Sequence, residues 1–187
     1  KRQASATPTP RSQWQRRCRQ LLTQPSPVST TRELSRSLCR LPLHLLPGRR
    51  LTRALAALRG LAQAVPPRVW ASLYRAMCDS WQTARRFGRW APCPFGCPRG
   101  EESLQHFAQC PCLAELGYRH LRLPRPSPAA RLSCFMALEP TFSEDTAPLL
   151  ARRALAAYCT YAASCAARHN STADAAGAWW QYGREAC

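Results

Sequence analysis

Apolar positions recur at three- and four-residue intervals through the middle of the chain. Leu51, Leu55, Leu58 and Ala62 keep this rhythm up to Pro66-Pro67. They predict a helix that stops there, because a proline biases the residue before it away from helical backbone. A second helix is predicted from Pro67, a residue tolerated in a first turn, with Trp70, Leu73, Tyr74, Met77, Trp81 and Ala84 on one face at about 100° per residue. Arg68, Arg75 and Arg86 fall nearly in line on its opposite side. The aromatic face reads as core, since aromatic groups that stack on a base must stay exposed.

Further elements follow from the same rhythm. Thr31 to Pro42 and Leu113 to Leu123 each predict a short helix and Ala130 to Leu138 a short helical or extended piece, with the stiff segment "PRPSP" at 124–128 between the last two. A long helix is predicted from Thr146 to His169, burying Leu150, Ala154, Tyr158, Tyr161 and Cys165, and a last one carries Trp179 and Trp180. No alternating apolar and polar run of useful length occurs. The fold class is therefore mainly α: a small helical domain with one metal-stapled knuckle and a disordered basic N-terminal arm. Residues 1–30 form the arm, polar and punctuated by proline. Residues 31–90 form a helical segment, 91–112 the knuckle and 113–187 a helical C-terminal segment.

Composition adds limits to this picture. At 187 residues and 45% hydrophobic the chain has room for one modest core or two small ones. No apolar run reaches the length of a membrane span. The first residue is Lys1, so the chain reads as a piece of a longer product. Its 11 cysteines are an odd number without a secretory signal, which argues against a disulfide scaffold and for a reducing, intracellular setting, with the nucleus as one option.

Charge is unevenly distributed. Residues 1–100 hold 19 basic side chains against Glu33 and Asp79, whereas residues 101–187 balance to zero, so the net +17 is entirely N-terminal. All the basic residues but Lys1 are arginine, whose planar fork suits phosphates and stacks on bases. A polyanion is the natural partner of such a half, though a solvated arginine surface has the same composition.

The stretch "CPFGCPRGEESLQHFAQC", residues 93–110, concentrates the candidate chemistry. In Cys93-Pro-Phe-Gly-Cys97 a turn-forming proline and a glycine allow two thiols to converge. Glu101-Glu102-Ser103 supplies a helix start, and His106 and Cys110, four residues apart, are expected on one helical face. Cys93, Cys97, His106 and Cys110 thus form a closed set suited to a structural tetrahedral zinc ion, with Cys112 competing for the fourth place.

Residues 65–126 as a whole resemble the segment that follows the reverse-transcriptase domain of non-LTR retrotransposons. There a helix ending in a Trp-x-Thr-x-x-Arg-Phe-like stretch, here Trp81 to Phe87, leads into a Cys-Cys-His-Cys zinc finger with the phrasing of Glu101 to Pro111. The resemblance covers about a third of the chain and implies a finger that binds template RNA or target DNA beside a polymerase core. Arg85, Arg86, Arg89 and Arg99 are the expected phosphate contacts, held with Phe95 by the knuckle. Phe87 and Trp90 either stack on bases between them or pack under the knuckle. The parent protein would be an RNA-directed DNA polymerase, and the remainder of that polypeptide a further partner. This chain has no Asp-Asp pair: Asp79, Asp145 and Asp174 are its only aspartates and stand far apart, so a two-metal transfer centre is not expected and the chain reads as non-catalytic. Two other readings remain open, a structural or protein-interaction module docking through the Trp179-Trp180 helix, and a degraded retroelement fragment.

Overall fold

The computed structural model describes residues 49–98, 100–138, 146–170 and 174–186. The predicted basic arm and the helix from Thr31 to Pro42 lie outside the described residues. Those that are described are mainly helical and contain no strand; their one extended pairing sets Pro92 opposite Glu101.

Helix α1, Arg49–Ala64, is rich in alanine, leucine and arginine, all good helix formers, and stops just short of Pro66 as predicted. Helix α2, Pro67–Met77, starts on its proline and buries Val69, Trp70, Leu73, Tyr74 and Met77. The Trp70 indole N–H donates to the Leu58 carbonyl at 3.1 Å, which ties the two helices together.

Helix α2 ends earlier than the apolar periodicity predicts. Asp79 adopts a left-handed conformation (φ 48°) and its N–H bonds the Ala76 carbonyl, while the Ser80 N–H bonds that of Arg75 at 2.7 Å. This pairing closes the helix as a glycine usually would. Trp81 and Ala84 are therefore not on α2, and Arg86 is not in line with Arg68 and Arg75. Trp81 is nevertheless 1% exposed, its indole N–H donating to the Ser72 carbonyl at 2.9 Å. Beyond it a single 3-10 turn, Arg85–Phe87, ends at Gly88 in the left-handed region.

Three short helices follow: α3 (Leu104–Gln109), α4 (Pro111–Leu121) and α5 (Arg131–Phe135). Helix α4 begins two residues earlier than its apolar pattern suggests, because Pro111 seats readily at the first helical position.

Helix α6, Ala147–His169, is the central element, contacted by α1, α2, α4, α5 and the last helix α7, Ala175–Ala186. Because neighbours cover it on several sides, most of its buried positions are small: Ala154, Ala157, Cys159, Thr160, Ala163 and Ser164 join Leu150 and Arg153 inside. Tyr158, Tyr161 and Cys165, predicted as its buried face, are only half-buried. Asp174 starts α7 by accepting the Ala176 N–H on its side chain. Trp179 is buried and donates to the Thr160 hydroxyl at 3.1 Å, while Trp180 stacks on His120 with ring centres 4.4 Å apart. The Trp179 ring is thus committed to the chain's own core and is not available as a docking face.

Among the described residues no helix is long and apolar enough to cross a membrane.

Candidate metal centre

The knuckle begins as a clasp. The Glu102 N–H donates to the Ala91 carbonyl and the Cys93 N–H to that of Gly100, both at 2.8 Å, so the loop 93–100 is pinned at its base. Inside it the Gly96 N–H reaches back to the Cys93 carbonyl at 3.2 Å, with Gly96 at φ 76°, a turn that favours glycine. Ser103 then caps α3, its hydroxyl accepting the His106 N–H at 3.1 Å.

Cys110 is not on the helical face shared with His106 that the four-residue spacing suggests. It sits at the joint where α3 ends and α4 begins, with extended backbone (φ −62°, ψ 121°). The reason is Pro111: the residue before a proline is driven out of helical backbone. The joint still brings the thiol inward, and Cys110 is 1% exposed.

Three donor atoms meet as a result. The Cys93 and Cys110 sulfurs and a ring nitrogen of His106 all lie within 4.8 Å of one another. The two sulfurs are 3.9 Å apart, close to the roughly 3.8 Å that a tetrahedral ion with metal–sulfur bonds of about 2.3 Å requires. His106 Nε2 is buried without a hydrogen-bond partner, and an orphaned buried nitrogen is costly unless something accepts its lone pair or its proton. The described cysteines form no disulfide. These three residues are close enough to hold a metal ion.

Cys97 is buried on the same loop but is not part of this group. Cys112, the competitor for the last place, is half-buried one residue into α4 and is also outside it. Arg99 lies outside the described residues. Phe95 is not displayed beside the arginines: it is buried edge-on against Phe107, with centroids 5.8 Å apart and planes at 83°.

The electrostatics of the group follow from its crowding. Cys93 is lowered from its ordinary 9.0 to about 5, chiefly because the Cys110 S–H donates to its sulfur. Burial opposes this, while the Phe95 N–H, the His106 ring and the Cys97 N–H add to it. Cys110 is pushed up by the same shared proton and by burial, although the Leu113 and Cys112 N–H groups at the start of α4 favour its thiolate. A cation would let both sulfurs be thiolates.

Two supporting features had no signal that pattern reading uses. Gly100 lies directly against the His106 imidazole, in space that a Cβ would claim. Glu102 is 3% exposed and forms an ion pair with Arg168 of α6, whose guanidinium also donates to Cys165 Sγ at 3.0 Å.

The expected phosphate contacts sit beside this clasp. The Arg85 N–H reaches the Glu102 carbonyl at 3.4 Å, and its guanidinium pairs with Glu101 at 2.6 Å, so it is not a free cation. Arg86 and Arg89 are exposed. Phe87 and Trp90 are exposed as well and do not pack under the knuckle.

Comparison of the chain with family models, with curated proteins and with solved structures finds no match in any of the three.

Proposed function

We propose that the chain is a nucleic-acid-binding zinc-knuckle segment of a retrotransposon reverse-transcriptase-like protein. Cys93, His106 and Cys110 are its zinc ligands, with Cys97 as the fourth. Two sulfurs and one imidazole are a donor set suited to zinc, and a fourth protein ligand would close the site as structural zinc sites are closed. The observation that carries the reading is the convergence of three ligand atoms within 4.8 Å around a buried imidazole nitrogen that has no other partner. Zinc, when bound, would neutralise the paired thiolates and fix the angle of the clasp. The chain's own residues do the rest. Arg85 joins the arginine turn to the clasp through Glu101 and Glu102, and Arg86 and Arg89 present their guanidinium groups to phosphate.

The test has two arms. Metal analysis of the purified chain is expected to find one zinc per molecule, and Cys93→Ser and Cys97→Ser each to remove it; full occupancy in the Cys97 variant would leave a three-residue site. Binding of a labelled RNA or DNA oligonucleotide should weaken steeply with salt. Replacing Arg86 and Arg89 by alanine should reduce the log–log slope by about 1.5, as expected for two lost phosphate contacts. An unchanged slope would move the contact surface elsewhere.

A further inference from the structure

Burying a large aromatic ring is among the strongest contributions a side chain makes to folding. The described tryptophans at 70, 81 and 179 are buried, and Trp180 is half-buried against His120. Trp90 is 74% exposed and Phe87, three residues before it, is 62% exposed. Two large rings facing solvent, one closing a 3-10 turn and the other two residues past the Gly88 that caps it, call for a reason.

The backbone on either side of them is held firmly: Trp90 lies between this turn and Ala91, whose carbonyl accepts the Glu102 N–H. The Phe87 and Arg89 N–H groups both donate to the Ala84 carbonyl and that of Gly88 to the Arg85 carbonyl, all at 3.0 Å. The Arg86 N–H reaches the hydroxyl of buried Thr83 at 3.4 Å. Gly88 reverses the chain at φ 65°, and nothing lies within 4 Å of where its Cβ would be, so no other part of the chain covers the turn at that point. The rings therefore project from an ordered backbone, and little ordering entropy remains to be lost when something lands on them. Three residues of chain keep the Cα atoms of Phe87 and Trp90 within about 11 Å of each other, so one strand can reach both residues.

We infer that the Phe87–Trp90 turn is a stacking platform for single-stranded nucleic acid. This inference rests on the nucleic-acid reading above and names the class of strand. A duplex hides its base faces inside its own stack, whereas a single strand offers them, and every base has a face that an aromatic ring can cover. Arg86 and Arg89 stand among the rings, so a polyanion is the partner that satisfies both kinds of group at once. A protein partner would leave these exposed guanidinium groups to be desolvated or paired by acids of its own.

The experiment uses the full zinc-loaded chain with a labelled oligouridylate, an oligothymidylate and a duplex of equal length, each titrated at two salt concentrations. Trp90→Leu and Phe87→Leu keep an apolar side chain but remove the π-face, and as exposed positions they leave the fold intact by circular dichroism. Each is expected to weaken single-strand binding by roughly 5- to 100-fold, the range of one lost base stack. Duplex binding and the salt slope should stay the same. Quenching of tryptophan fluorescence by the single strand should shrink in the Trp90 variant. Equal affinity for single strand and duplex, with both variants like the parent chain, overturns the platform while leaving nucleic-acid binding standing. Failure of the parent chain to bind any of the three probes overturns both readings together.

Discussion

Gly100 and His106 are in contact in a way that leaves no room for a side chain: a Cβ on Gly100 would overlap the imidazole ring. The glycine is thus a wall of the candidate metal site, and the backbone at 100 also accepts the Cys93 N–H that closes the clasp.

Gly100→Ala should turn the imidazole away from the two sulfurs without touching a ligand. By analogy with the loss of groups that orient metal ligands, zinc affinity is expected to fall about 10- to 100-fold, read by competition with a chromophoric chelator. The helical content of the chain should be unchanged. Undiminished affinity would show that His106 reaches the ion from another angle.

Glu102 and Arg168 make a second prediction. The carboxylate side chain is 4% exposed and the guanidinium 27%, so removing the arginine leaves a buried charge with less water to replace its partner. Arg168→Ala should cost about 2 kcal/mol, below the 3–5 kcal/mol of fully buried pairs because Arg168 keeps some contact with solvent. Glu102→Gln with Arg168→Ala should recover part of that loss, and a double-mutant cycle on denaturant midpoints measures the coupling. Strict additivity would mean that the pair holds nothing together.

Alkaline pH should loosen the packing around α6. Tyr161 is raised above its ordinary 10.0, mainly by burial and then by the neighbouring Cys165, with Arg75 opposing; Tyr158 is raised by burial too. A folded-state value above the unfolded one makes a contribution that is complete below pH 10 and lost as the pH climbs beyond it. Melting temperature should therefore fall above about pH 10, and less steeply in Tyr161→Phe. A slope unaffected by that substitution would place the alkaline sensitivity in another group.

Much of this architecture is legible in the residues, and the exceptions have physical causes. Proline positions and apolar spacing mark α1, the start of α2 and nearly the whole of α6, because both act locally on the chain. The end of α2 is hidden, since Asp79 takes the left-handed place where glycine is the usual sign. Cys93, His106 and Cys110 stand out by clustering, yet the route by which Cys110 turns inward depends on Pro111 and a helix joint, not on helical periodicity. The rotated face of α6 and the exposure of Phe87 and Trp90 are properties of how many neighbours surround a residue, which no window of sequence contains.

Trp81 belongs to no helix, yet its ring meets Phe107 of α3, Phe135 of α5 and Tyr161 of α6, at centroid separations of 6.2, 5.7 and 5.2 Å. One indole is the common floor of the candidate metal site and of the bundle behind it. A peptide cut to residues 91–112 would carry every cysteine and histidine of the candidate site but would leave Phe107 without the surface it rests on. Anyone dissecting this protein should keep the stretch from Trp81 onward together with α5 and α6, because the candidate metal site is mortised into the bundle and not hung from it.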